Sequence, residues 1–242
     1  MKYFLGLLAV LGFCAAAAAA EPEPAPVVVE LFTSQSCYSC PPAEALLGKL
    51  ANRPDLIALE FHVDYWNDLV YGAAGRWADV HSSPAHTARQ RAYGNRLGGG
   101  VYTPQMVIDG RAETVGSREG DIERAIAAAR KYPRIALAVT ATDTGGLAIR
   151  GSATGRRPAE LWLVRYLEQE TTRVRAGENR GKVLVNHHIV TGMSRLADWP
   201  LADDVLTVAP PELPSGEGCA VLLQAPGQGA ILGAAPCPKA PR

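Results

Sequence analysis

The chain has 242 residues, 48% of them hydrophobic, with 24 basic and 24 acidic side chains and a formal net charge of +0. That length and apolar share suffice for one large domain or two small ones with a sizeable core. The charge balance leaves no basic footprint of the kind that binds nucleic acid or an anionic membrane, so neither is expected as a partner.

Residues 1–20 differ in character from the rest of the chain: Lys2 gives a positive start, 4–13 an apolar run and 15–20 a series of alanines. This is the pattern of a cleaved signal peptide, and the run is short for a transmembrane anchor. Residues 21–26, Glu-Pro-Glu-Pro-Ala-Pro, read as the lead of the mature chain. The expected location is therefore periplasmic or secreted, with no membrane span after cleavage. Cys14 leaves with the signal, so Cys37, Cys40, Cys219 and Cys237 remain. An even number in an oxidising compartment points to pairing. Cys37 and Cys40 form one natural pair, and Cys219 and Cys237 read as a structural staple across the last part of the chain.

Residues 27–32 form a β-branched, apolar run expected as a buried strand. A polar turn, 33–36, leads to Cys37-Tyr38-Ser39-Cys40, and Pro41 and Pro42 then open a helix ending near residue 50. Residues 56–63 alternate as a second strand. The stretch 65–83 carries Tyr65, Trp66, Tyr71 and Trp77 between glycines and is expected to fold over something as a cap or groove wall. Ser82 or Ser83 can cap a helix with Pro84 in its first turn, running to about residue 97 and stopped by three glycines. A strand at 105–108, an Asp109-Gly110 hairpin turn, a returning strand at 111–115 and a helix at 118–132 complete this part. From residue 133 the composition turns to short strand-like segments at 135–140, 147–151, 160–167, 182–190, 206–209 and 220–224. They predict a β-rich, sandwich-like C-terminal domain, 133–242, or strands that pack directly on the first sheet as one unit.

Two cysteines two residues apart at a helix entrance have a physical logic. The thiolate is the nucleophile, and the helix dipole with its unpaired N–H groups stabilises its charge. Cys37, the exposed member in such an arrangement, would attack a substrate disulfide, and Cys40 would resolve the mixed disulfide. The expected partners are protein thiols or disulfides, and no cofactor is required. Two other readings stand beside this one: a structural disulfide in a non-catalytic binding module, and copper(I) held by the two thiolates. Glu30 lies within an otherwise apolar strand, where a charge is costly to bury, and is the candidate proton carrier. His62 and Asp64 project to one face of the second strand. Arg89, Gln90 and Arg91 read as a solvated helix face, and His187 and His188 as neighbours facing opposite ways.

The order β-α-β-α-β-β-α over 27–132, with Cys37–Cys40 after the first strand and Thr103-Pro104 before the third, resembles the thioredoxin fold. The segments FTSQSCYSCPPAE, FHVDYWNDL, ARQRAYGNRLG, VYTPQMVIDG and GENRGKVL, with the ILGAA run, resemble a family of exported bacterial proteins catalogued as domain of unknown function 1223. The resemblance implies an α/β thioredoxin-like domain with a central mixed sheet flanked by helices. It also implies a cis Pro104 beside the Cys pair, with the backbone of Thr103 placed to pair with an extended substrate; Tyr38 and Trp66 are read as further residues on the substrate side. Glu30 approximates the buried carboxylate that serves the resolving cysteine in thioredoxins.

Overall fold

The computed structural model describes residues 25–151, 158–200, 205–209, 214 and 216–238. The expected signal peptide lies outside the described residues. Two apolar runs pair first: β1 (Val27–Thr33) and β2 (Leu56–His62) are parallel, with Val27 opposite Leu56 and Thr33 opposite His62. Every residue of both strands is buried, as expected of a parallel pair covered on both faces. Parallel neighbours need a crossover, and α1 (Pro41–Leu50) supplies it. β3 (Gln105–Ile108) adds antiparallel to β1 and turns through Asp109-Gly110 into β4 (Ala112–Val115). Both turn residues adopt positive φ, 48° and 58°, which is what Asp-Gly tolerates and most pairs do not.

Alternation along β1 sorts the core. Val27, Val29 and Leu31 face α1 and α3 (Glu119–Ala129), packing on Leu46, Leu47, Ile122 and Ile126. Val28 and Phe32 face the other way, where they cluster with Leu59, Phe61 and Tyr93 of α2 (Pro84–Leu97). The Ser83 hydroxyl caps α2 by accepting from the Ala85 N–H, and Gly98 ends it at φ 82°.

The C-terminal strands extend the same sheet. β7 (Ala159–Arg173) and β8 (Val183–Trp199) form a long antiparallel hairpin, and β8 meets β2 through Glu60 and Ile189. β10 (Glu217–Gln224) pairs with β7, and β11 (Ile231–Pro236) with β10. The result is one eight-stranded sheet in the order β11-β10-β7-β8-β2-β1-β3-β4. A second sheet of β5 (Leu137–Ala141), β6 (Leu147–Gly151) and β9 (Leu206–Val208) packs Leu147 and Ile149 against Leu161, Leu163, Val221 and Leu223. Sandwich packing is thus local to this corner. Two strands are longer than the sequence patterning suggests, because beyond residue 167 β7 continues through Glu168, Gln169, Glu170, Thr171 and Thr172 without an apolar face to mark it. β11 carries small residues and a glycine that strand patterning passes over. A Cβ at Gly233 would meet the Ile135 carbonyl oxygen at 2.3 Å, so that glycine lets two backbones touch.

Cys219 and Cys237 are disulfide-bonded, tying β10 to the end of β11, where the Cys237 N–H also donates to the Cys219 carbonyl at 2.8 Å. Replacing both cysteines by alanine is expected to lower the free energy of unfolding by about 3 kcal/mol, the scale for a closed loop of this order. Urea unfolding of the oxidised protein and the double variant measures it. Among the described residues no helix is long and apolar enough to cross a membrane.

Candidate functional site

The polar end of β1 and the turn after it are enclosed. Thr33, Ser34, Gln35 and Ser36 are buried, and so are Cys37 and Cys40, each 0% exposed. Cys37 and Cys40 are joined in a disulfide with a Cα–Cα distance of 5.4 Å. Cys40 is the residue that caps α1, Pro41 and Pro42 fill the first turn, and the Cys40 N–H donates to the Cys37 carbonyl at 3.2 Å. The Cys37 sulfur was expected to be the exposed one; instead only Tyr38 and Ser39 of this loop reach solvent, Tyr38 at 65%.

A polar loop can be buried only if its backbone groups find partners. Two other segments supply them. From the aromatic stretch 65–83, Asp79 accepts from the Gln35 N–H at 2.7 Å, the Trp77 carbonyl accepts from the Ser36 hydroxyl at 2.8 Å, and the Trp77 indole donates to Gln35 Oε1 at 3.1 Å. From the turn between β7 and β8, the Asn179 amide donates to the carbonyls of Gln35 and Cys37, both at 2.9 Å. The Glu178 carboxylate accepts from the Tyr38 N–H at 3.0 Å.

Thr103-Pro104 is a cis peptide bond. It sits near the helix entrance: a Cβ at Gly116 would lie 3.1 Å from Ala43 Cβ and 3.2 Å from Pro104 Cβ, so Gly116 is wedged between the first turn of α1 and the proline. Trp66 reaches the same place, its indole N–H donating to Thr103 Oγ1 at 2.9 Å. The structure therefore gathers Cys37, Cys40, Tyr38 and Pro104 at the C-terminal end of β1, with Thr103 and Trp66 joined to each other alongside.

Glu30 is not among them. It lies on the α2 face of the sheet, the far side from α1, with Arg89 Nε 2.7 Å from one oxygen and the Tyr93 hydroxyl 2.6 Å from the other. Arg89 and Gln90, expected on a solvated face, are buried; only Arg91 of the three is exposed. The reason is electrostatic: a carboxylate inside the sheet needs a buried cation, and the helix above supplies it.

Behind the Cys pair stands a cluster that sequence patterning does not single out as one unit. Glu44 lies one turn after Cys40 on α1, accepting from the Thr33 hydroxyl at 2.7 Å. His62 Nδ1 is 2.7 Å from Asp79 Oδ2, and its Nε2 is 3.2 Å from Glu60 Oε1. Glu60 also accepts from the Asn186 amide at 2.6 Å and the His187 N–H at 3.0 Å. All four charged groups are buried. Burial alone would push His62 down, but Asp79 and Glu60 outweigh it and hold the imidazole well above its ordinary value. Burial would raise Asp79, but His62 and the N–H groups of Gln35 and His81 bring it below its usual range. Glu44 has no cation of its own; burial first, then the nearby Glu60, push it up to about 8. Its single signal in the sequence is an acidic residue in the first turn of a helix, which is ordinary capping chemistry.

His187 and His188 do not share a site. His187 packs against α1 at Gly48, whereas His188, at positive φ, places Nδ1 2.9 Å from the Ala58 carbonyl and lies tilted against the Tyr166 ring.

No curated protein matches the chain. An X-ray crystal structure of a protein from Agrobacterium tumefaciens is similar to it, at 30% sequence identity and a TM-score of 0.71 over 92% of this chain and 100% of that one. Residues 28–224 match a family described as protein of unknown function (DUF1223), and with four-fifths of the sequence inside that match the chain belongs to this family.

Proposed function

We propose that the protein is an exported thiol–disulfide exchange protein on a thioredoxin-like scaffold, acting through Cys37 and Cys40 on protein thiols or disulfides. The observation that carries this reading is the disulfide at the entrance of α1, with the cis Thr103–Pro104 bond and the first turn of the helix packed on the same glycine. Residues 27–132 form the exchange scaffold and the C-terminal strands extend its sheet. Export is part of the proposal, supported by the pattern of residues 1–20 and by two disulfides in the described chain.

Starting from the dithiol, the Cys37 thiolate attacks one sulfur of a substrate disulfide. A Cys37–substrate bond forms, and the other substrate sulfur leaves as a thiolate and takes a proton. Cys40, deprotonated, then attacks the Cys37 sulfur, expels the second substrate thiolate and closes the Cys37–Cys40 bond. Two electrons pass to the substrate; the reverse sequence oxidises a substrate dithiol, and an external thiol or disulfide resets the pair. Glu44, not Glu30, is the group we assign to move the Cys40 proton. It lies one turn behind Cys40 and titrates near a thiol's own range, which suits proton transfer between the two.

A second reading has its own observation: both sulfurs are buried, as in a binding module with a structural disulfide. Equilibration against a glutathione or dithiothreitol redox buffer separates the two. Exchange predicts a potential for Cys37–Cys40 above about −300 mV, and a structural bridge one below it. Exchange further predicts that reduced Cys40→Ala accumulates a mixed disulfide on Cys37 with an oxidised peptide. A low potential with no adduct overturns the proposal, and stoichiometric copper(I) binding lost in Cys37→Ala would replace it with metal handling.

A further inference from the structure

The turn between β7 and β8 runs from Val174 to Lys182 and closes on itself through two backbone bonds, Val174 N–H to the Lys182 carbonyl and Gly181 N–H to the Val174 carbonyl. Its tip, Gly177-Glu178-Asn179-Arg180-Gly181, is bracketed by glycines at φ 74° and 88°. These residues lie about 140 positions from the Cys pair in sequence, yet they close over it. Asn179 is fully buried. Both of its amide donations go to the Cys loop, to the carbonyls of Gln35 and Cys37, while its carbonyl oxygen accepts from Lys182 Nζ at 2.8 Å. Lys182 Nζ in turn lies 4.3 Å from the centre of the Tyr38 ring, and Glu178 takes the Tyr38 N–H. The tip is itself tied down on its other side, where the Gly177 N–H donates to the Ala74 carbonyl at 2.9 Å.

We propose that Asn179, aided by Glu178, is a positioning residue that latches the β7–β8 tip over the Cys loop, and that Cys37 reacts only when this latch lifts. The inference rests on the exchange reading for its purpose but not for its test. Of the two segments that enclose the Cys loop, the β7–β8 tip is the one whose side chain holds the Cys37 carbonyl itself. The sulfur is 0% exposed, the loop on either side is held by side-chain bonds, and in-line attack on a disulfide needs access to one sulfur. An amide with both donors on one loop has its whole donor capacity committed to that closure. The tip leads into strand residues Val183 and Val185, which are exposed, and exposed segments open locally at lower cost than the core. The latch sets which partners react: one that displaces Glu178 from the Tyr38 N–H, as an extended cysteine-bearing peptide with its own carbonyls can, opens the loop while it docks.

The test uses the full-length oxidised protein and its two disulfides as mutual controls. The rates at which dithiothreitol reduces Cys37–Cys40 and Cys219–Cys237 are followed separately by alkylation and peptide mapping. In Asn179→Ala the first rate should rise about tenfold, the loss of two net hydrogen bonds from the closed state, with the second unchanged. Glu178→Ala, at an exposed position, should raise the first rate about two- to threefold, the effect of one weakly held bond. An unchanged first rate in both variants overturns the latch. Equal acceleration of both disulfides also overturns it, because the variant then loosens the whole fold. If the redox-potential measurement rejects exchange while Asn179→Ala still frees Cys37–Cys40 alone, the latch stands and the exchange reading falls.

Discussion

Replacing Glu30 with alanine is expected to destabilise the fold by about 3–5 kcal/mol, the cost of leaving a buried charge without its partner. Arg89 is only 7% exposed, and its guanidinium is oriented by Glu30, by the Tyr93 hydroxyl at 2.9 Å and by Gln224 Oε1 at 3.2 Å. It also lies over the rings of Phe61 and Tyr93, 5.5 and 5.1 Å from their centres. Burial alone would lower Arg89, but Glu30 and Tyr93 raise it; once the carboxylate is removed, the guanidinium still keeps its proton because its ordinary value is so high. Urea unfolding near neutral pH measures the loss. Removing both charges at once, Glu30→Leu with Arg89→Met, should recover most of it, because the pair's attraction chiefly offsets its own desolvation. The Cys37–Cys40 reduction potential should stay put in the Glu30 variant, since the carboxylate lies across the sheet from α1. A shifted potential with unchanged stability would return Glu30 to the role of proton carrier and sink the structural one.

That ion pair also marks where sequence reasoning stops. The element order over 27–132 is legible because its strands, helices and turns carry their own local signals. β1 has three consecutive valines, α2 has Ser83, Pro84 and Gly98 at its ends, and Asp109-Gly110 turns β3 into β4. Glu30 is legible as an anomaly in an apolar strand, but its partner is not. α2 carries polar residues on every side, so nothing local separates the buried Arg89 from the exposed Arg91. The charge cluster behind the disulfide is out of reach for the same reason. Glu44, Glu60, His62 and Asp79 come from a helix, a strand and a loop, and Asn186 joins them from β8, 126 positions away from Glu60. Asn179 has the character of a turn residue, which it is; that its amide closes on Cys37 depends on a strand pairing made between β2 and β8. The burial of Cys37 results from these long-range contacts, and no local pattern announces it.

The second large effect concerns Glu44 and has a definite sign. Its value in the folded protein is about 8 against an ordinary 4.5 in an unfolded chain, so between those values the folded state holds one more proton. Unfolding then releases a proton, and stability falls as pH rises, by about 1.4 kcal/mol per pH unit across the window. Below about 4.5 the group is neutral in both states and costs nothing; above about 8 it is charged inside the fold and the cost has saturated at roughly 4–5 kcal/mol. Glu44→Gln keeps an oxygen for the Thr33 hydroxyl and removes the titration. Compared with its own offset from wild type at about pH 5, the variant should gain on the order of 4 kcal/mol by about pH 8. His62, held above its ordinary value, pulls in the same direction in both proteins: its stabilisation is complete below about 6.5 and is lost as pH climbs through its folded value. Because His62 and Glu44 interact, the difference between the two proteins includes the change in that interaction. Denaturant unfolding of both proteins across this range gives the two curves. Parallel curves would mean that Glu44 is ionised throughout, and it would then have no proton to exchange with Cys40. If the curves diverge as expected, the same substitution becomes the probe of chemistry. The rate at which the Cys40 thiol closes a mixed disulfide should lose its dependence on a group titrating near about 8.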